Sequence, residues 1–217
     1  RSPGFTAVAI LTLALGIGAT TAIFTLIHGV VLSPLPFDEP ERLVDIGHTA
    51  PTLGTLDAGQ CAAWHLTYED ENHVFEDIGM YSRQGQLVAV TGNGDPEAVR
   101  VMPVTSGVFR ALRVTPFLGR IFTREDENPE APPTLLLSHG FWQSRFGGDP
   151  GVIGKTIRVD GNPREIVGVM PAILKGLGSD PALFMLMRFR REDLFVGNIG
   201  FDSVARLREG VSDVVVH

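Results

Sequence analysis

Phe5–Leu35 reads FTAVAILTLALGIGATTAIFTLIHGVVLSPL, contains no Asp, Glu, Lys or Arg, and has His28 as its only ionisable group. An α-helix rises about 1.5 Å per residue, so about 20 apolar residues cross the hydrocarbon layer of a bilayer. The stretch is long enough to span with tilt and to emerge as a helical stalk. An apolar helix inside a soluble protein would need a much larger body packed on every side. A cleaved signal peptide has a shorter apolar core, about 7 to 15 residues, ending in a small-residue cleavage site. Neither fits, and the segment is read as one transmembrane helix. Ser33-Pro34-Leu35-Pro36 must end it, because two prolines so close together cannot continue the hydrogen-bond ladder.

The flanks orient the helix. Arg1 precedes it, whereas the first charges after it are Asp38, Glu39 and Glu41. The Lys/Arg bias therefore puts the N-terminus inside and everything from about residue 41 on the extracytoplasmic side. Within the span Ala14, Gly18 and Ala22 recur every fourth residue, with Gly16 and Thr20 beside them. Small residues at that spacing let another helix approach closely, so they are the expected helix-packing face toward other transmembrane helices. The alternative is that Gly and Ala are simply common in such spans. His28 lies near the outer end, where a hydrated or interhelically hydrogen-bonded imidazole is expected in preference to an ion relay.

Beyond Pro36 polar and apolar residues alternate. Leu43-Val44-Asp45-Ile46 reads as a strand, and Cys61 to Glu71 as a short helix with Trp64 and Tyr68 on one face. Leu87 to Thr91 and Ala98 to Val104 are β-like about a Gly92-Asn93-Gly94-Asp95 turn. Thr105 or Ser106 is placed to cap a short helix through Leu112 whose Phe109 and Leu112 face the core. Arg124 to Pro133 is an acidic, proline-rich loop. Thr134 to Ser138 is a buried strand leading into a helix with Phe141, Trp142 and Phe146. Thr156 to Val169 is a hairpin in which Asp160-Gly161 supplies positive φ. The fold class is α+β rather than a doubly wound sheet. The expected domains are 1–40, transmembrane helix and exit stalk, and 41–217, an extracytoplasmic mixed α/β domain.

Charge and composition narrow the chemistry. The 217 residues carry a formal net charge of -7 and a sequence pI near 5.3, which argues against nucleic acid as a partner. The single cysteine, Cys61, excludes an internal disulfide framework or a Cys-cluster metal site and reads as a small core residue. Gly148 to Thr156 looks like a phosphate-binding loop, but Asp149 stands where the first glycine is required. Leu136-Leu137-Ser138-His139-Gly140 has leucine in place of the leading glycine of a nucleophile elbow, so Ser138 is better read as a helix cap. His48, His65, His73 and His139 lack the spacing that brings two ligands to one metal. Glu69, Asp70, Glu71, Glu76 and Asp77 read as a solvated face rather than an acid/base pair. Arg188, Arg190 and Arg191 read as a surface strand with local ion pairing, with lipid headgroups or a partner subunit as the minority alternative. No catalytic, cofactor-binding or metal residues are expected, and the chain is expected not to be an enzyme.

Several stretches together resemble one family. PGFTAVAILTLALGIGATTAIFTLIHGVVLSPLPFDEPERLV is similar to the first transmembrane segment of MacB/FtsX-type ABC transporter permeases. VTSGVFRALRVTPFLGRIFTREDE and LLLSHGFWQSRFGGDPGVIGKTIRVDGNPREIVGVMP resemble the MacB-like periplasmic core domain. The similarity runs from about Pro3 to Gly210, and within the family it leans toward the large orphan permeases with duplicated halves known from acidobacteria. Arg113 stands where those relatives usually have glycine in a tight turn. Val211 to His217 also leaves the pattern, which normally continues into an amphipathic helix and three further spans. With Arg1 at its start, the chain is expected to be a fragment.

The resemblance implies a periplasmic domain of two subdomains and a permease subunit that pairs with a separate ABC ATPase, other transmembrane helices and periplasmic partner proteins. It would couple ATP hydrolysis to export or mechanical signalling, without cofactors or chemistry of its own. The rival readings are a single-span, membrane-anchored envelope binding or scaffolding protein and, least favoured, a tethered hydrolase built on Ser138 or the acidic cluster.

Overall fold

The computed structural model describes residues 3–27, 35–50, 55–92, 94–176, 180–197 and 199–211. His28, Ser33, Pro34, Asn93 and residues 212–217 lie outside that set. The chain falls into two units, Arg1–Pro36 and Phe37–His217.

The first unit is helix α1, Pro3–Ile27. Its Pro3–Thr25 segment has a mean hydropathy of 2.1, long and apolar enough to cross a membrane. Thr12, Thr20 and Thr25 each return a hydroxyl hydrogen bond to the carbonyl four residues earlier, on Val8, Gly16 and Thr21. Those hydroxyls are thereby satisfied inside the helix, as a lipid environment demands. Ala14, Gly18 and Ala22 all lie on the exposed surface of α1.

The second unit is built on a ten-stranded mixed sheet. Its strands in chain order are β1 Leu43–Asp45, β4 Phe75–Tyr81, β5 Gln86–Thr91, β6 Glu97–Val104, β7 Leu118–Gly119, β8 Thr134–Leu137, β9 Thr156–Val159, β10 Asn162–Val169, β11 Leu183–Leu186 and β12 Asp202–Leu207. A separate two-stranded ribbon pairs β2 His48–Ala50 with β3 Thr55–Ala58. Helices α2 Ala62–Glu71, α3 Gly107–Ala111 and α4 His139–Phe146 complete it. The order β6-β11-β8-β10-β9-β5 returns to β6, so six strands close on themselves, which removes their free edges. From β6 the sheet runs on through a single pair, Tyr81 with Val104, to β4, β12 and β1. The β6–β11 and β8–β10 pairs are parallel, the others antiparallel.

Strand alternation distributes side chains between two cores. Val99 and Val101 of β6, Leu135 and Leu137 of β8, and Leu183 of β11 enter the first, with Trp142 of α4. Their neighbours Met102, Leu136 and Phe184 enter the second, with Phe109 of α3 and Phe122. On β10, Ile166 and Val169 share the first core although three apart, because a bulge lies between Ile166 and Gly168.

The β5–β6 and β9–β10 hairpins, the β8–α4 unit and α2 form where the sequence placed them. Asp160 and Gly161 have φ of 49 and 79 degrees. Trp64 and Tyr68 share a face of α2, with ring centroids 4.1 and 5.9 Å from that of His48. Two local expectations differ. Neither Thr105 nor Ser106 caps α3 by its side chain: Thr105 Oγ1 accepts from the Met80 N–H, and Ser106 Oγ accepts from Arg110. Residues 188–191 form no strand, since the chain runs irregularly into a 3-10 turn at Arg191–Asp193.

Candidate functional site

A dense polar construction surrounds the first residues of the second unit, Phe37–Arg42. Phe37 packs against the second core. Glu39 adopts a left-handed φ of 44 degrees, and Pro40–Arg42 form a 3-10 turn that delivers the chain into β1, which pairs with β12. Three arginines from distant parts of the sequence then hold this segment.

Arg206, on β12, is 0% exposed. Its Nε donates to the Ala111 carbonyl at 2.7 Å, its Nη1 to that of Glu39 at 3.2 Å, and its Nη2 to that of Asp38 at 2.7 Å. One planar guanidinium thus ties the end of α3 to two successive peptide groups of the leading segment. Burial lowers its pKa, and the charges of Arg113 and Arg42 add to that lowering. An arginine nonetheless keeps its proton at any physiological pH.

Arg42 turns the other way. Its Nε and Nη2 donate to the Leu207 carbonyl at 3.0 and 2.7 Å, and it pairs with Glu39 at 2.6 Å and Glu76 at 2.7 Å. Arg113 pairs with Asp38, Glu39 and Glu76. The hydrogen bond to Asp38 is the first cause of its raised pKa. Glu76 is pushed up by desolvation, but hydrogen bonds and charges from Arg113 and Arg42 outweigh this and leave its pKa below the ordinary carboxylate value. Three guanidiniums meet three carboxylates, so the clasp is close to neutral.

The backbone at Arg113 explains how it reaches. Its φ is 51 degrees; its N–H bonds the Arg110 carbonyl at 2.9 Å and the Val114 N–H bonds that of Phe109 at 3.0 Å. These two bonds make a Schellman stop for α3, with Val114 and Phe109 in the same core. The tight turn expected of glycine is therefore made by arginine, which accepts a left-handed backbone and places its charge over Asp38 and Glu39. Arg113→Gly is expected to move the melting temperature of the full chain by less than about 3 °C, because backbone relief offsets lost surface ion pairs. Proteolysis ahead of Leu43 should quicken nonetheless; a unit that melts far earlier would contradict this balance.

The other candidates from the sequence are dispersed. Ser138 Oγ accepts from the Phe141 N–H at 3.3 Å, a helix cap. His139 meets Phe117 and Trp142 edge to face, and His65 is buried on the inner side of α2. Of the acidic group, Asp70 pairs with Arg191, Asp77 with Arg110 and Glu76 with the clasp. Arg190 pairs with Glu130, and Arg188 donates to the carbonyls of Ala131 and Pro132. Cys61 is fully buried. Among the described residues no three His, Cys, Asp or Glu side chains group to hold a metal. The clasp itself was not foreseen. Its one signal is an arginine inside the apolar alternation Val204-Ala205-Arg206-Leu207.

Comparison with known proteins gives one family match: "MacB-like periplasmic core domain" aligns with residues 6–215. No curated protein matches the chain. A domain described as coming from a permease of Porphyromonas gingivalis superposes with a TM-score of 0.60 at 17% identity, over 81% of this chain and 79% of that one. The periplasmic region of MacB from Actinobacillus actinomycetemcomitans gives 0.56 at 11%, over 79% and 76%. The extracellular domain of the noncanonic ABC-type transporter YknZ from Gram-positive bacteria gives 0.52 at 13%, over 77% and 84%. At such identities these structures are similar in fold.

Proposed function

Because the chain belongs to the MacB-like periplasmic core domain family, we propose that it is part of a permease subunit whose outer domain is moved by its membrane helix. The observation that carries this reading is the clasp. Phe37–Arg42 is the first stretch of the globular unit after α1, and Arg206, Arg42 and Arg113 fix it to β12 and α3 instead of leaving it as a loose linker. A tether so held passes a pull or tilt of the preceding chain into the sheet; a flexible one would absorb it.

In this reading a separate ABC ATPase supplies the energy, α1 packs on other transmembrane helices through Ala14, Gly18 and Ala22, and the domain stands in the periplasm of an inner membrane. The chain supplies no covalent chemistry. Export and mechanical signalling use the same coupling, and the fold favours neither.

The test is co-purification from native membranes in mild detergent. A tagged form of the intact gene product should bring down an ABC ATPase, and Gly18→Leu should reduce the yield of that ATPase at least tenfold while leaving the product in carbonate-washed membranes. Retention in the membrane with no ATPase under any mild detergent would replace this reading with a single-span envelope scaffold.

A further inference from the structure

Helix α2 sits on an ill-satisfied layer. It packs on β4, where Ile78 and Met80 are buried, and the β12 partner of Met80 is Ser203. Gln60, just ahead of α2, is 0% exposed and bridges to Phe201. The Gln60 Nε2 and Oε1, the Ser203 Oγ and both ring nitrogens of His65 are buried without a hydrogen-bond partner among the described residues. Each such group carries a desolvation penalty, and five such atoms gather here, whereas the barrel strands β8 and β10 carry single ones at Thr134 Oγ1 and Arg164 Nε. The second core, under α3, shows the contrast, because its buried Arg206 is satisfied by three carbonyls.

His65 is the titratable member of this layer, 1% exposed. It lines a cavity of about 90 Å³ together with Glu69, Thr105, Glu127, Phe189 and Arg191. The charged groups around it come from every neighbouring element. Glu69 on α2 itself lies 3.9 Å from Nε2, beyond hydrogen-bond reach. Glu127, from the turn after Arg124, is held by the Ser106 N–H, and Arg191 is engaged by Asp70. The charges of Arg124 and Arg110 lower the pKa of Glu69, opposing those of Glu127 and Asp70. Desolvation, and next the charge of Glu127, raise the pKa of Glu69, so the carboxylate nearest the ring is a weak counter-ion in acid.

We propose that His65 is an acid-sensitive latch: a proton on its buried ring releases α2 from the sheet and uncovers Cys61, while the six-stranded barrel stays closed. Burial holds the ring's pKa down to about 4 from the ordinary 6.5. The sign follows: docked α2 disfavours the proton and undocked α2 accepts it, so docking is at full strength above pH 6.5 and weakens as pH falls toward 4. The ratio of open to docked α2 rises about 20-fold between pH 7 and pH 5 on these values. The interval lies within the range that an envelope domain meets outside a cell.

Cys61 reports the opening, because it is fully buried and its carbonyl accepts the His65 N–H at the first turn of α2. The full chain in detergent micelles is labelled with 2,2′-dithiodipyridine, which reacts with thiols in acid, and each rate is divided by that of the urea-unfolded chain at the same pH. The normalised rate should rise about 20-fold from pH 7 to pH 5 in the wild type and stay flat in His65→Phe. Glu69→Gln, which removes a carboxylate whose own protonation in acid favours the docked state, should keep at least the wild-type rise from pH 7 to pH 5. Hydrogen exchange over the same range should expose amides 62–71 and leave those of β8 and α4 protected. If His65→Phe does not fold, Glu69→Gln and the exchange pattern decide. A flat wild-type rate, an undiminished rise in folded His65→Phe, a Glu69→Gln whose rise from pH 7 to pH 5 is smaller than the wild type's, or simultaneous exchange of α2 and the barrel would overturn the latch.

Discussion

Replacing Arg206 with methionine is expected to lower the melting temperature of the full chain by about 10 °C, the equivalent of about 3 kcal/mol. Methionine fills most of the volume, so packing loss is a minor share of this figure. The cost comes from the carbonyls of Ala111, Glu39 and Asp38, which lose a charged donor, the first in a buried contact and the other two in partly buried ones. Arg206→Lys should recover only part of it, because one ammonium cannot reproduce the flat fork that reaches α3 and two peptide groups at once. Thermal unfolding followed by circular dichroism gives the number. A change under about 2 °C for methionine would show that the three carbonyls find water instead and that the clasp contributes little.

Gly107→Ala is expected to be more damaging still, about 4 kcal/mol or more, enough to leave the protein degraded on expression. A Cβ at Gly107 would overlap the Ile78 carbonyl oxygen, and a Cβ at Gly79 would overlap the Val108 backbone. Helix α3 and strand β4 therefore touch backbone to backbone through two glycines, and neither side has a side chain to move aside. The close approach brings the α3 C-terminus within reach of Arg206 on β12, which pairs with β4. Gly140→Ala is the control: the site is in α4 with open space around it, so the change should be neutral or stabilise by about 0.5 kcal/mol. Soluble yield and melting temperature of the two variants separate packing from a general intolerance of glycine replacement.

How much of this was legible in the sequence follows from the range of each interaction. The hairpins at 86–104 and 156–169 form between neighbouring residues with turn chemistry between them, so local pattern found both. The same holds for Thr134–Leu137 and α4, where an apolar run meets a serine cap. Barrel closure was not legible, because it rests on β5 with β9, β6 with β11 and β8 with β10, pairs whose partners are far apart in sequence. Strand β4 was missed because Phe75-Glu76-Asp77 places two acids side by side; both face arginines, of the clasp for Glu76 and of α3 for Asp77.

The clasp had the faintest trace. Arg42, Arg113 and Arg206 are ordinary surface residues by composition, and only the fold brings them together around Asp38 and Glu39. The departure from glycine at Arg113 was visible as an anomaly in an otherwise familiar pattern. Its meaning appears once φ is 51 degrees and the side chain lies across the leading segment. Here a local rule is broken and the compensation is an ion pair with residues some seventy positions earlier in the chain.

The coupling proposed for the clasp is tested most directly by pulsed electron-spin distances in the intact gene product reconstituted in nanodiscs with the ABC ATPase that co-purifies with it, with Cys61→Ala as background and spin labels at Leu11→Cys and Gln84→Cys. Vanadate trapping should shift the distance between the two labels, and Arg206→Met should abolish that shift while ATP hydrolysis continues. A shift of equal size in Arg206→Met, or an unchanged distance on trapping in the unmodified clasp, would contradict transmission through these arginines.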